Sequence, residues 1–288
     1  MNEYSPITRL LVKHARDAFG TQTACDQQWK DLNFTEAPDL ARAIADYEIF
    51  LSLISAAGSV LEFLPPNPQV SLDSIYVRDA ALVCDRGVIL CAMGKPQRST
   101  EPAVQAETYA ALGIPILGTI SAPGKIEGGD VVWFDAHTVA VGRGYRTNDE
   151  GIRQFQDILG SDVEVVTVPL PHYRGPSDVF HLMSIISPVD GDLAVVYSPL
   201  MPVPFREWLI ARAIALVEVP EEEFDSMGAN VLAIAPRRCV MVAGNPITRD
   251  RLKAVGATVA EYDGREISIK GGGGPTCLTR PIARNSRK

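Results

Sequence analysis

The clearest chemical signal in this chain lies near its end, in a glycine-rich stretch that leads to one cysteine. Gly271–Gly274 is followed by Pro275, Thr276 and Cys277. Four consecutive glycines allow positive φ angles and a close approach of the backbone to another group. A single thiol presented after such a loop is typical of a nucleophile. The alternative is a glycine-rich turn with an inert, buried cysteine, because a free cysteine packs as a small hydrophobic residue.

A nucleophilic thiol needs a group that moves protons, and histidine is sufficient for that role. The chain has four histidines. His14 and His137 lie in a polar stretch and a hairpin turn, where a solvated structural role is favoured. His172 lies in an irregular loop, and His181 stands directly before an apolar strand. His172 and His181 therefore stay open as candidates, although a structural role is the ordinary reading of a histidine that opens a strand.

Other charged residues accompany the apolar strands in places where a plain hairpin does not need them. They are Asp73, Arg78, Asp79, Glu127, Asp130, Arg143 and Arg146. Equivalent strand ends meet at one end of a closed repeat protein, and loops there carry function. We therefore expect some of these side chains to meet the cysteine and a histidine.

The elements that position these residues recur along the chain. A unit of strand, turn, strand, loop, helix and strand returns five times, about every 45 to 50 residues. The pattern predicts a helix over 36–56, strands over 74–77 and 267–269, and an irregular stretch up to residue 34. Thr147–Asn148 is predicted to cap a helix over 149–159, with Glu150 three residues after Thr147 as in a capping box.

These repeats favour an α/β fold in one closed domain over residues 1–288, arranged around an axis. Length alone suggests roughly two domains, but that expectation is soft. A doubly wound α/β fold is the alternative, and it alternates single strands with helices rather than hairpins with helices.

Composition narrows the functional class. A hydrophobic content of 46% and a charged content of 22% are typical of a soluble globular protein. The net charge of −8 argues against nucleic-acid binding and modestly favours a cationic ligand. No apolar run approaches the roughly 18 residues of a membrane span, and the first residues lack a secretory pattern. The five cysteines form no CxxC pair, which predicts reduced thiols in a cytoplasmic protein without a zinc knuckle or a disulfide framework.

The chain contains five motifs that occur together in a known family: Val77–Asp79, Ile126–Val131, Val141–Gly142 with Arg146–Asn148, Phe180–Leu182 and Gly272–Cys277. By these motifs the chain resembles the guanidine-modifying (pentein) superfamily, and within it the dimethylarginine dimethylaminohydrolases. The order of the motifs matches the family order. The resemblance implies a five-fold pseudosymmetric β/α propeller, in agreement with the five repeats.

The resemblance also implies roles for individual residues. Cys277 would be the nucleophile and His181 the general acid and base. Glu127 would bind the substrate guanidinium and assist the attack, and Asp79 would hold its other nitrogens. The α-amino and α-carboxylate groups of an amino-acid substrate would meet Asp73, Arg98 and Arg146. Arg143 is the alternative to Arg146 in this substrate-binding role.

Two residues differ from the pattern of related enzymes, and both differences bear on the identity of the substrate. Met183 stands where arginine deiminases, agmatine deiminases and amidinotransferases have an aspartate, which favours a dimethylarginine hydrolase. Arg78 stands where some of those hydrolases have an acidic residue, and Arg-Asp also occurs in deiminases. An arginine deiminase, an arginine dihydrolase or a citrulline-cleaving hydrolase is therefore the alternative enzyme. A non-catalytic pentein binding protein is the alternative of another class, and such proteins typically lack the nucleophile.

The expected chemistry is direct. Carboxylates bind a planar guanidinium in a bidentate fork, and this orients its carbon toward the thiolate. Cys277 would attack that carbon to form a thiouronium adduct, which water would hydrolyse with help from His181. The expected partner is a small guanidino amino acid, with no metal, no organic cofactor, no nucleic acid and no membrane. The assembly state stays open between a monomer and a homodimer.

Overall fold

A computed structural model describes residues 1–56 and 58–285 of the chain. Its strands are β1 (Ile7–Val12), β2 (Val60–Phe63), β3 (Ala81–Cys84), β4 (Gly87–Leu90), β5 (Ile116–Thr119), β6 (Val131–Asp135), β7 (Thr138–Arg143), β8 (Glu164–Pro169), β9 (Ile186–Asp190), β10 (Leu193–Val196), β11 (Ala215–Glu218), β12 (Leu232–Ala235), β13 (Arg238–Val242), β14 (Thr258–Tyr262) and β15 (Arg280–Arg284). Its α-helices are α1 (Ala15–Phe19), α2 (Gln22–Gln28), α3 (Leu40–Ser55), α4 (Glu101–Ala111), α5 (Asp149–Leu159), α6 (Val203–Ala211) and α7 (Pro246–Ala254).

The strands form five sheets of three strands each. In four of them an antiparallel hairpin is followed by a third strand that pairs in parallel with the second hairpin strand, as in β3-β4-β5 and β6-β7-β8. A helix connects the second strand to the third because a parallel connection needs a crossover. This order confirms the predicted α/β fold of five repeated units.

The remaining sheet joins the two ends of the chain. Its order is β15-β1-β2, with β15 antiparallel and β2 parallel to β1. The last strand therefore supplies the hairpin partner that the first repeat lacks. Pairing of Leu11 with Arg280 and of Leu10 with Pro281 is part of this register.

The hydrophobic core connects neighbouring sheets in sequence around the molecule. One cluster joins β3 and β4 to β6 and β7 and also includes Leu11 of β1. A second cluster joins β6, β9, β10 and β12, with Phe134 and Leu193 among its members. A third joins β12 and β13 to β1 and the helices α1 to α3, with Phe50 fully buried. The chain of clusters is closed, so the five sheets form a ring.

Several local predictions were wrong, and each has a physical reason. Residues 72–75 form a 3-10 helix and Arg265–Ile269 a π-helix, because packing against α1 and α3 outweighs the strand preference of their β-branched residues. The stretch up to residue 34 contains the two short helices α1 and α2. Of the two residues predicted to cap α5, Asn148 does so, since its side chain accepts from Gly151 N, but Thr147 forms no capping box with Glu150 because its hydroxyl donates to Asp130.

The seven α-helices are short. Within residues 1–56 and 58–285 we find no helix with the length and apolar character needed to span a bilayer.

Gly151 in the first turn of α5 offers a test of the packing between a helix and the neighbouring loop. A Cβ atom at this position would lie 2.0 Å from the carbonyl oxygen of Lys125. We expect Gly151→Ala to lower the free energy of unfolding by about 3 kcal/mol, because a backbone atom cannot move aside cheaply. Urea denaturation measures the change. Asp157→Ala on the exposed side of the same helix is the control, and equal stability of the two variants would contradict the prediction.

Candidate active site

A narrow cleft brings most of the residues singled out from the sequence to one end of the ring. Its lining comes from five segments of the chain: Asp73, Tyr76, Asp79, Lys95, Arg98, Arg146, Val179, His181, Gly271–Gly273 and Cys277. Glu127 is completely buried and contacts the cleft residues His181 and Arg146. The loops that follow or precede the strands thus converge as the repeat pattern predicted.

The glycine-rich stretch brings Cys277 to the cleft through a close approach to Tyr76. Gly272 has a φ of 78°, and a Cβ atom on Gly273 would lie 2.4 Å from the Tyr76 ring. The backbone N–H of Cys277 donates to the carbonyl of Gly274 at 3.0 Å. Glycine is required here for both reasons, a left-handed backbone at one position and contact with a ring at the other.

The thiol of Cys277 is half-buried and has polar neighbours. Asn230 Nδ2 donates to Sγ at 3.5 Å, and Thr276 Oγ1 lies 3.9 Å from it. Burial and the nearby charge of Asp79 raise the pKa of Cys277, while Thr276 and Arg78 oppose the shift. Without a ligand, the thiol is therefore the favoured form at neutral pH.

Glu127 is the most heavily hydrogen-bonded carboxylate near the cleft. Its Oε1 accepts from the backbone N–H groups of Gly94 and Lys95 at 2.8 and 3.0 Å. Arg146 Nη1 donates to both carboxylate oxygens, at 3.2 and 2.9 Å, and His181 Nε2 lies 2.7 Å from Oε2. Burial alone would raise its pKa, but the His181 hydrogen bond and the charge of Arg146 hold the pKa well below the ordinary range. Glu127 is thus ionised.

His181 is held as a cation by three carboxylates. Burial alone would lower its pKa, but the charges of Asp130 and Asp79 and the hydrogen bond to Glu127 raise the pKa to about 9. The segment that carries the ring is held by its neighbours, since the backbone N–H of His181 donates to Ser184 Oγ at 3.1 Å and that of Leu182 donates to Asp130 Oδ1 at 2.9 Å. A proton is therefore available on the imidazole at neutral pH.

Asp79 and Arg98 form a buried pair that extends to a second carboxylate. Arg98 Nη1 donates to Asp79 Oδ2 at 2.5 Å, and Gly129 N donates to Oδ1 at 2.9 Å. Arg98 also forms a bidentate pair with Glu101, with distances of 2.9 and 2.8 Å, and donates to the Tyr76 carbonyl. Burial opposes ionisation of Asp79, but Arg98 and His181 hold its pKa below the ordinary value. Arg98 thus fixes Asp79 in its ionised form.

Asp73 and Arg146 are each paired with a group that the sequence did not single out for that role. Lys95 Nζ lies 2.5 Å from Asp73 Oδ2 and donates to the Leu32 carbonyl at 2.7 Å. Arg146 is buried against Glu127, whereas Arg143 is exposed and pairs with Asp149. Of the two arginines, Arg146 lines the cleft and Arg143 does not.

Residues 16–284 of the chain match the family described as N,N dimethylarginine dimethylhydrolase, eukaryotic. The chain belongs to this family. The N(G),N(G)-dimethylarginine dimethylaminohydrolase of Streptomyces coelicolor is 31% identical over 248 residues, which are 85% of this chain and 87% of that protein. An arginine deiminase of Listeria welshimeri is 27% identical over 266 residues, covering 78% of this chain and 64% of that protein.

A solved structure shares the fold of this dimethylarginine dimethylhydrolase family member. A mutant dimethylarginine dimethylaminohydrolase from Pseudomonas aeruginosa, complexed with citrulline, superposes with a TM-score of 0.75 at 24% identity. The superposition covers 95% of this chain and 98% of that one. The predicted pentein propeller is thereby confirmed.

Asp79, Glu127 and His181 lie close enough together to hold a metal ion, with ligand atoms within 4.8 Å of one another. In this member of the dimethylarginine dimethylhydrolase family, however, both carboxylates already pair with arginine side chains and the imidazole carries a proton. A protonated imidazole has no lone pair for a metal. The cluster fits the binding of an organic cation and proton transfer better than metal coordination.

Sequence reasoning missed several residues that hold the site of this dimethylarginine dimethylhydrolase family member. They are Lys95, Glu101, Thr147 and Asn230. Thr147 Oγ1 donates to Asp130 Oδ2 at 2.7 Å and accepts from Glu127 N at 3.2 Å. Asp130, in contrast, is among the charged residues that the sequence singles out. No spacing signal exists for Asn230, which meets Cys277 only through the fold.

Alkylation of Cys277 tests the raised pKa of its thiol. We expect the rate of reaction with iodoacetamide to rise with pH, with a midpoint above the ordinary thiol value of about 8.5, because burial and Asp79 disfavour the thiolate. Mass spectrometry of the tryptic peptides measures the rate. Cys277→Ser is the control, since Cys84 is also half-buried. A midpoint below neutral pH would overturn this account of the free enzyme.

Proposed function

We propose that this protein hydrolyses the guanidino C–N bond of N,N-dimethylarginine to give citrulline and dimethylamine, with Cys277 as the nucleophile. The amidine-hydrolase class follows from its family membership. The observation that carries the proposal is the convergence of Cys277, His181 and Asp79 in one cleft above the buried, ionised Glu127. Such a set matches a cationic, planar substrate.

In the free protein, arginine and lysine side chains of the same chain already neutralise the carboxylates that would bind the substrate. Glu127 holds Arg146, Asp79 holds Arg98 and Asp73 holds Lys95. We infer that the guanidinium of the substrate replaces that of Arg146 at Glu127. The two groups are chemically alike, so one guanidinium–carboxylate pair is exchanged for another and no charge is left buried alone.

The displaced Arg146 is then free to bind the α-carboxylate of the substrate, and Asp73 is placed to meet its α-amino group. Arg98 plays a different part, because Glu101, Asp79 and the Tyr76 carbonyl already occupy most of its N–H donors. We assign Arg98 the positioning of Asp79.

The chemical step follows from the two raised pKa values. The bound cation lowers the pKa of Cys277, and the proton of the thiol leaves to solvent. The thiolate attacks the guanidino carbon, the bond to the dimethylated nitrogen breaks, and His181 supplies the proton to the departing dimethylamine. A thiouronium adduct remains on Sγ. Neutral His181 then takes a proton from water, the hydroxide adds to the carbon, and the thiolate leaves as the ureido product forms.

The preference for a substituted guanidinium rests on Met183. Its side chain is buried in the hydrophobic core, so it supplies no charge at the position where deiminases have an aspartate. An unsubstituted guanidinium would lose that third carboxylate contact. Because an arginine deiminase is among the relatives of this chain, arginine deiminase or dihydrolase activity is the second candidate.

We also propose that residues 1–288 form a single catalytic domain of a cytoplasmic protein. The domain needs no metal or organic cofactor. The expected partner is the small guanidino amino acid. A homodimer is compatible with the ring and is not required by the site, since the cleft residues come from one chain.

Cys277→Ser tests the role of the thiol. We expect turnover to fall by at least about 1,000-fold, because a serine hydroxyl is a far weaker nucleophile at neutral pH, while the dissociation constant for the substrate changes little. Dimethylamine release measures turnover, and isothermal titration measures binding. Cys84→Ser is the matched control and should retain full activity. Undiminished turnover by the Cys277 variant would refute the covalent scheme.

The pH profile tests the protonation state of His181. Its pKa is raised to about 9, so the imidazolium is present below that pH and is lost as the pH rises through it. We expect kcat for dimethylarginine to decline above about pH 9 because the leaving amine then lacks its acid. In Asp130→Asn, which removes a charge that raises this pKa, the decline should begin at a lower pH. An unchanged alkaline limb in that variant would contradict the assignment.

A substrate panel separates the candidates. Dimethylarginine, monomethylarginine, arginine, citrulline and agmatine are incubated with the enzyme, and dimethylamine, methylamine and ammonia are measured. Dimethylamine from dimethylarginine is the expected result. Ammonia from arginine or citrulline alone would move the assignment to a deiminase, a dihydrolase or a citrulline-cleaving hydrolase.

A further inference from the structure

A second cavity lies away from the catalytic cleft, where the first residues of the chain meet the last strand. It is small, with a cavity volume of about 10 Å³, which is room for one particle of about the size of a water molecule. Its charged lining consists of Glu3, Arg78, Arg280 and Arg284, and Trp133 forms part of its apolar wall. All four charged side chains belong to buried or largely buried residues.

The arginines around this cavity have hydrogen-bond donors without acceptors. Within the described residues, no partner is present for Arg78 Nη2, Arg280 Nε, or Nε and Nη2 of Arg284. Some of their other nitrogens are used, since Arg78 Nε donates to the Thr276 carbonyl at 2.6 Å and Arg284 Nη1 to the Ser5 and Ala233 carbonyls. Buried donors are nearly always satisfied, so four orphaned ones in one place indicate a missing acceptor.

The charge around the cavity is also uncompensated. Three guanidinium groups face one carboxylate, and Arg78 Nη1 lies 3.4 Å from Glu3 Oε2. Burial lowers the pKa of Arg280 and of Arg284 to about 10, which still leaves both protonated at neutral pH. The excess charge is therefore 3 − 1 = +2. A buried excess of this kind calls for a counterion.

We propose that this cavity binds a small monovalent inorganic anion with the chemistry of chloride. An anion accepts several N–H donors at once, whereas a water molecule accepts only two and adds no charge. The small volume disfavours a large anion, and the common doubly charged inorganic anions are the larger polyatomic oxyanions.

The ion would connect β15 to the segment that carries Cys277. Arg280 and Arg284 lie on β15, and Arg280 Nη2 donates to the Arg78 carbonyl. Arg78 in turn donates from its backbone N–H to the Cys277 carbonyl at 3.2 Å. Neutralising repulsion among these arginines should therefore stabilise the closed ring as a whole.

Thermal denaturation of the full chain in different salts tests the proposal. At constant ionic strength, replacing gluconate by chloride or bromide should raise Tm saturably, by about 3 °C at ten times the dissociation constant. The rise should disappear in Arg284→Gln and persist in Arg143→Gln, a matched change at an exposed arginine. An equal rise in both variants, or no rise in the unmodified protein, would overturn the proposal.

Diffraction from crystals of the unmodified protein grown in bromide gives a result that does not depend on whether Arg284→Gln folds. We expect an anomalous bromide peak within hydrogen-bond distance of the orphaned nitrogens. Formate in place of bromide distinguishes a carboxylate from a halide, because it gives planar density without anomalous signal. Density for water alone in the bromide crystals would refute an anion site.

Discussion

The carboxylate of Glu127 is the constraint on which the active-site end of this molecule depends. A fully buried negative charge is costly unless donors surround it. Here the donors come from three repeats: the backbone after β4, Arg146 after β7 and His181 before β9. Each repeat must sit in its place for the charge to be satisfied. The same arrangement protonates His181, so the proposed catalytic role of His181 depends on the contacts that satisfy the buried charge of Glu127.

Ring closure is the second constraint, and it explains why the site can be assembled from distant parts of the chain. Each sheet contacts its neighbours through apolar clusters, and β15 completes the sheet of β1. Loops at one end of every sheet are then brought to a common centre. Cys277 and Asp79, almost 200 residues apart in the sequence, line the same cleft for this reason.

Much of this could be predicted from the sequence. The hairpin-helix-strand repeats were readable because two hydrophobic periods alternate, and Cys277, His181, Asp79, Asp73, Arg98 and Arg146 lie at the cleft, as the resemblance implied. Local propensity failed where tertiary contacts decide, as in Ile267–Ile269, which is β-branched in part but helical beside α3. The pairing of Lys95 with Asp73 and of Asn230 with Cys277 could not be predicted, because no spacing along the chain encodes a contact made across the ring.

The position of the closing strand links completion of the ring to completion of the cleft. Cys277 precedes the first residue of β15 by only three positions, and β15 pairs with β1, almost 270 residues away in the sequence. Pairing between such distant segments is slow to form. When a denatured chain refolds, Cys277 therefore reaches its place in the cleft only once β15 has joined β1, and the ring and the cleft are completed in the same late step.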